Sequence, residues 1–220
     1  MQLQALFFDL DGTIANSMPY LYQSYQKVLK PYEISVEKKD FFHLLTLSFE
    51  DMLAYFSKKH VNIDPKKIVL DYFDEVHLGY LDAVDVYEGA KEFIEKATKN
   101  HKLFLVTNAD DQLASSFLKK HGMLEAFDGV ITSSEPRFAK PHPYLYHKAL
   151  QQSKCNSDEV CAIEDSKAGI LAAHLANIPL IFIDHHQMDI EKKIKQIFFQ
   201  NFKNWQEALQ WLHLQTKKLR

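Results

Sequence analysis

The chain has 220 residues, 46% hydrophobic and 25% charged, with a formal net charge of −3. That composition belongs to a folded globular protein of one sizeable domain, or a core carrying an insert. The negative balance disfavours a coat of nucleic acid or anionic membrane, and no apolar run is long enough to span a bilayer.

Only Arg137 and Arg220 are arginine, so an anion recognised here meets lysines, backbone N–H groups or a metal rather than many bidentate forks. Cys155 and Cys161 lack metal-ligand spacing and read as reduced thiols packed as small hydrophobes. The opening MQLQALFFDLD has no basic start before its short apolar run and does not read as a secretory signal. A cytoplasmic location is expected.

Residues 3–8 read as a short buried strand that runs into Asp9 and Asp11. Side chains two apart on a strand face the same way, so the two carboxylates lean together while Leu10 turns to the core. Like charges so placed need a cation or a shared proton between them. From Pro19 to Leu81 the period becomes helical. Leu21, Tyr25, Val28 and Leu29 share a face, as do Val69, Tyr72, Phe73, Val76 and Tyr80. Asp64-Pro65 is a helix start. Tyr22, Tyr25, Phe41, Phe42, Phe49 and Phe56 are expected to form a small core in this block, with Lys27, Lys38 and Lys58 on solvated faces.

After Glu88-Gly89 the pattern alternates. A helix with Ala90, Phe93, Ile94 and Ala97 on one face precedes the strand KLFLVT, residues 102–107. A helix around Leu113–Leu118 stops at Gly122, GVIT forms the next strand, and a further helix starts near Pro143. Then come the strand VCAIED, a helix aligning Ala168, Leu171, Ala172 and Leu175, and the strand LIFID. His185-His186 reads as a surface turn. Two helices are expected to close the chain, the last with Trp205, Ala208, Leu209 and Leu212 on one side.

Apolar strands alternating with helices imply a parallel sheet covered on both faces. The fold expected is α/β: a doubly wound parallel sheet, Rossmann-like, with an inserted all-helical cap. Residues 1–15 and 86–220 are assigned to the core and 16–85 to the cap. Active sites of such sheets lie beyond the carboxyl ends of the strands. Polar residues stand there in three places: Asp9 and Asp11, Thr107-Asn108, and Glu164-Asp165.

DLDGT at 9–13, TN at 107–108, KP at 140–141 and EDS at 164–166 together resemble the four motifs of the haloacid dehalogenase superfamily, in its phosphatase and β-phosphoglucomutase-like branch. Each motif alone is also ordinary turn or cap chemistry; the four in this order favour the joint reading. The resemblance implies an aspartyl-phosphate formed on Asp9, with Asp11 as general acid and then base. It implies Lys140 neutralising the charge on Asp9, and Thr107, the backbone N–H of Asn108 and the close approach at Gly12 serving the phosphoryl oxygens. It also implies Mg2+ held by Asp9, the backbone carbonyl of Asp11 and Asp165, with Glu164 beside them.

The function implied is a Mg2+-dependent phosphatase acting on a small phosphorylated metabolite, with no nucleic acid or membrane partner. A sugar phosphomutase is the alternative, disfavoured because the cap has no arginine for a second phosphate; a non-catalytic binding member is the other. Retention of an acid at Asp11 favours phosphoryl transfer over carbon–halogen cleavage. The chain departs from the family pattern at Asn16, at Ala176-Asn177, and in HLLTLSFEDML, which lacks the glycine common in the cap's substrate loop. Arg137 reads as a surface residue. The sequence leaves substrate and oligomeric state open.

Overall fold

The first strand, β1 (Ala5–Phe8), is apolar at every position because both its faces are covered. Leu6 and Phe8 enter one buried cluster and Ala5 and Phe7 another, on opposite sides of the sheet. The same alternation holds in β2 (Lys102–Val106), β4 (Val160–Glu164) and β5 (Leu180–Ile183). A computed structural model describes residues 3–44, 49–59, 64–132, 135–185 and 198–218.

With β3 (Gly129–Ile131) and β6 (Phe198–Phe202), the described strands form a parallel sheet in the order β3-β2-β1-β4-β5-β6. After β3 the chain crosses to the far side of β1 to start β4, so the order reverses about β1. Phe8 lies level with Leu105 on β2 and Ile163 on β4. The residues just past these three strands are thereby brought to one rim.

Helices α1 (Met18–Leu29), α2 (Lys38–Leu44), α3 (Phe49–Lys59) and α4 (Pro65–Ala83) fall between β1 and α5 (Ala90–Ala97). Asp64 caps α4 by accepting from the Lys66 N–H, with Pro65 in its first turn. Tyr25 is the hub of a small aromatic core, 5.5 Å from Phe41, 6.2 Å from Phe56 and 5.3 Å from Tyr72 between ring centroids. Tyr22 joins it through Phe41. The side chains of Phe42 and Phe49 lie outside the described residues, as does part of HLLTLSFEDML. Lys27, Lys38 and Lys58 are exposed, Lys27 paired with Glu75.

Among the described residues the remaining α-helices are α6 (Asp111–Lys120), α7 (Tyr144–Ser153), α8 (Lys167–Leu175) and α9 (Trp205–Lys218). Gly122 ends α6 with φ of +65°, and Asn177 takes φ of +57° after α8, a conformation asparagine tolerates. Three expectations are corrected. Only two helices are expected after LIFID, yet residues 198–202 form the edge strand β6 ahead of α9; residues 186–197, His186 among them, lie outside the described residues. On α8 the sheet-facing residues are Ala168, Ile170, Ala172 and Ala173, while Leu171 and Leu175 are 42% and 57% exposed. Phe73, placed with the buried stripe of α4, is exposed, and Ile68 takes its place. Among the described residues no helix is long and apolar enough to cross a membrane.

Candidate active site

Beyond β1 the backbone turns sharply. The N–H groups of Ile14 and Ala15 both donate to the Leu10 carbonyl, and Gly12 takes φ of +83°. A Cβ on Gly12 would sit 2.0 Å from Asp165 Oδ2, so glycine is required both by the left-handed turn and by the close approach of that carboxylate. Thr13 donates to Asp165 Oδ1 at 2.9 Å, and its carbonyl accepts from the Trp205 indole at 2.9 Å. The turn is thus tied to the end of β4 and to α9.

Asp9, Glu164 and Asp165 are buried, and so is Lys140. The Lys140 ammonium donates to Asp9 Oδ1 at 2.7 Å, to Glu164 Oε1 at 2.5 Å and to the Val106 carbonyl at 2.6 Å. Burial works to lower its pKa, but the charges of Asp9 and Glu164 outweigh that and raise it, so the side chain stays cationic. Tyr146 on α7 donates to the same Glu164 oxygen at 2.5 Å. Burial lifts the Glu164 carboxyl against the pull of Lys140. Asp165 is also lifted well above the ordinary range, by burial and then by the charges of Asp9 and Glu164.

Asp11 is half-buried as a residue, with its carboxyl withdrawn from solvent and pushed up to about 6 by that desolvation. A hydrogen bond from Tyr80 on α4, 2.5 Å to Oδ1, pulls the other way. Thr107 is buried at the end of β2, its Oγ1 accepting from the Ala109 N–H at 3.1 Å. That leaves its own proton free to donate elsewhere. Asn108 holds the Lys140 backbone from both sides. Its Oδ1 accepts from the Lys140 N–H at 2.7 Å, and its Nδ2 donates to the Lys140 carbonyl at 3.1 Å. The Lys140–Pro141 bond is cis.

The structure therefore brings Asp9, Asp11, Gly12, Thr107, Asn108, Lys140, Glu164 and Asp165 to one rim of the sheet. Arg137 lies apart, exposed and paired with Glu135. His185 stacks on Tyr87 at 3.7 Å. Sequence reasoning missed the contributions of Thr13, Tyr80 and Tyr146. Thr13 stands inside the DLDGT motif, which was a signal. The two tyrosines sat in helical stripes where nothing distinguishes a packing ring from a donor.

Asp9, Glu164 and Asp165 offer oxygens within 4.8 Å of one another. Hard carboxylate donors, with more negative charge than Lys140 cancels, suit a divalent cation. Glu164 Oε2 makes no hydrogen bond and lies against Gly169 of α8.

A doubly wound α/β fold with paired acids and a buried lysine at its switch strand places a polar cluster where such folds carry their active sites. The family model for haloacid dehalogenase-like hydrolases matches residues 6–183, and the chain belongs to that family. It is 26% identical over 205 residues to the phosphorylated carbohydrates phosphatase of Thermotoga maritima, covering 87% of this chain and 90% of that one. A haloacid dehalogenase-like hydrolase from Streptococcus pneumoniae superposes with a TM-score of 0.81 at 20% identity, over 96% of this chain and 98% of the other. The β-phosphoglucomutase of Clostridium difficile gives 0.78 at 20% identity, over 98% and 97%. At such identities the solved structures establish the shared fold.

Proposed function

We propose that the chain is a Mg2+-dependent phosphatase that hydrolyses a small phosphorylated metabolite through an aspartyl-phosphate on Asp9. We also propose residues 16–85 as the cap that covers the leaving group. One observation carries this reading: two acids at the end of β1 sit in opposed environments. Asp9 is ion-paired to Lys140 at 2.7 Å, while Asp11 is raised to about 6 by desolvation. Such a division separates an ionised nucleophile from an acid that can carry a proton near neutrality.

In the first half-reaction an Asp9 oxygen attacks phosphorus, the bond to the leaving oxygen breaks, and Asp11 protonates that oxygen. In the second, Asp11 takes a proton from water as water attacks phosphorus and the Asp9–phosphorus bond breaks, releasing phosphate. Lys140 and the hydroxyl of Thr107 meet the charge on the phosphoryl oxygens, with the close backbone approach at Gly12 and the N–H of Asn108 alongside. Asp9, the Asp11 carbonyl and Asp165 would hold Mg2+, whose charge offsets that of the phosphoryl group when bound. Glu164 acts through Lys140, holding it in place.

The Thermotoga maritima relative points toward a phosphorylated carbohydrate. The absence of arginine from residues 16–85 disfavours a second phosphate, and so favours hydrolysis over a mutase. The test is phosphate release from a panel of sugar phosphates and other phosphorylated metabolites, with and without Mg2+, comparing wild type with Asp9→Asn. Mg2+-dependent release lost in the variant is expected. Isomerisation primed by a bisphosphate and outpacing release would replace this reading with a mutase. Binding without turnover of any kind would replace it with a non-catalytic role.

A further inference from the structure

Tyr80 lies near the end of α4, fully buried. Its ring is edge-on to Tyr20 of α1 at 6.2 Å and to Phe117 of α6 at 5.7 Å. A phenylalanine would fill that space equally well, so packing does not explain the hydroxyl. The hydroxyl spans 69 residues of sequence to reach Asp11 Oδ1. The phenol is the donor in this bond and the carboxylate oxygen the acceptor.

Donation from Tyr80 to Oδ1 favours Oδ2 as the oxygen that carries a proton on the Asp11 carboxyl. We propose that Tyr80 is a positioning residue for proton transfer, a cap side chain that fixes the Asp11 carboxyl and presents Oδ2 to the leaving-group oxygen. The inference rests on the phosphatase reading above. In the first half-reaction the Oδ2 proton passes to the leaving oxygen as its bond to phosphorus breaks. In the second, Oδ2 receives the proton of the attacking water. Tyr80 keeps its own proton throughout.

The same stretch of α4 is docked on the core by two further contacts. His77 Nε2 lies 2.6 Å from Asp110 Oδ2, and Lys120 donates to the Leu81 carbonyl.

The experiment compares Tyr80→Phe with wild type on two esters, glycerol 2-phosphate and 4-nitrophenyl phosphate. Nitrophenolate departs without a proton, whereas an alkoxide needs one. The variant is expected to lose about tenfold or more in kcat on the alkyl ester with KM little changed, and less than about threefold on the aryl ester. Asp11→Asn should show the same selectivity, and adding Tyr80→Phe in that background should cost nothing further, since both act through one group. Parallel losses on both esters, or an extra loss in the Asp11→Asn background, would overturn the positioning role and leave the phosphatase reading standing. Release from neither ester by wild type, when no other phosphorylated compound is hydrolysed either, would overturn both.

Discussion

Replacing Lys140 by Met keeps much of the buried stem and removes the ammonium. The side chain is 3% exposed and its partners Asp9 and Glu164 are 10% and 0% exposed. Three hydrogen bonds of 2.5–2.7 Å disappear together, stranding two carboxylates and the Val106 carbonyl. Removing one partner of a buried ion pair costs about 3–5 kcal/mol. At about 2–4 °C per kcal/mol for a chain of this size, the melting temperature should fall by roughly 6–20 °C. The deficit has a pH signature. Burial already raises Glu164 from 4.5 to about 7, and losing Lys140 raises it further. Across that window the folded variant binds more protons than the unfolded chain, so its stability falls as pH rises. Thermal melts of chelator-treated protein should show the largest gap from wild type above pH 7 and a smaller one near pH 5. A gap under about 2 °C, well below that range, or one that does not shrink in acid, would refute the view that Lys140 neutralises a buried cluster.

Gly169→Ala should destabilise by about 1–3 kcal/mol in urea unfolding, because its Cβ would lie 1.9 Å from Glu164 Oε2 and 2.0 Å from Cδ. His77 should titrate above 6.5, raised first by its bond to the Phe73 carbonyl and then by Asp110, and Asp110→Asn should lower it in an NMR titration. The stability from that contact is present below the ordinary histidine range and lost as pH rises through the raised value. Mg2+ at a hundredfold over its dissociation constant should stabilise wild type by about 2.7 kcal/mol, and Asp165→Asn should lose most of that gain in melts with and without chelator.

The rim of the site was legible because its residues interrupt apolar runs. DLD after ALFF, TN after LFLV and ED after VCAI each mark where an apolar strand gives way to the polar rim, and the parallel registers then align them. Strand β6 was not legible. FFQNF sits at the sheet edge and pairs with β5 across an irregular register near Leu180; its burial alternates, but the order of its apolar and polar residues does not. On α8 hydrophobicity misled: the helix presses alanines against the sheet because small side chains allow close approach, and the larger leucines face outward. The reach of Tyr80 to Asp11 depends on how α4 crosses the core, which no local pattern encodes. Asn108 was assigned by its backbone, yet its side chain buttresses Lys140 across 32 residues.

Residues 15 and 86 form an antiparallel bridge, and the Asn16 N–H meets the Asp85 carbonyl at 2.8 Å while the Tyr87 N–H meets that of Ile14 at 2.9 Å. The chain thus departs from the sheet and rejoins it at neighbouring points. Because closure entropy grows only slowly with the length of what is enclosed, the enclosed segment can lengthen or shorten at little entropic cost so long as the contacts of α4 with Asp11, Asp110 and Phe117 are kept. The stitched base makes the helical block an interchangeable cassette. On the function proposed above, residues 18–83 could be rewritten for a new substrate with the strand-end residues kept, provided the replacement again offered a donor where Tyr80 now stands.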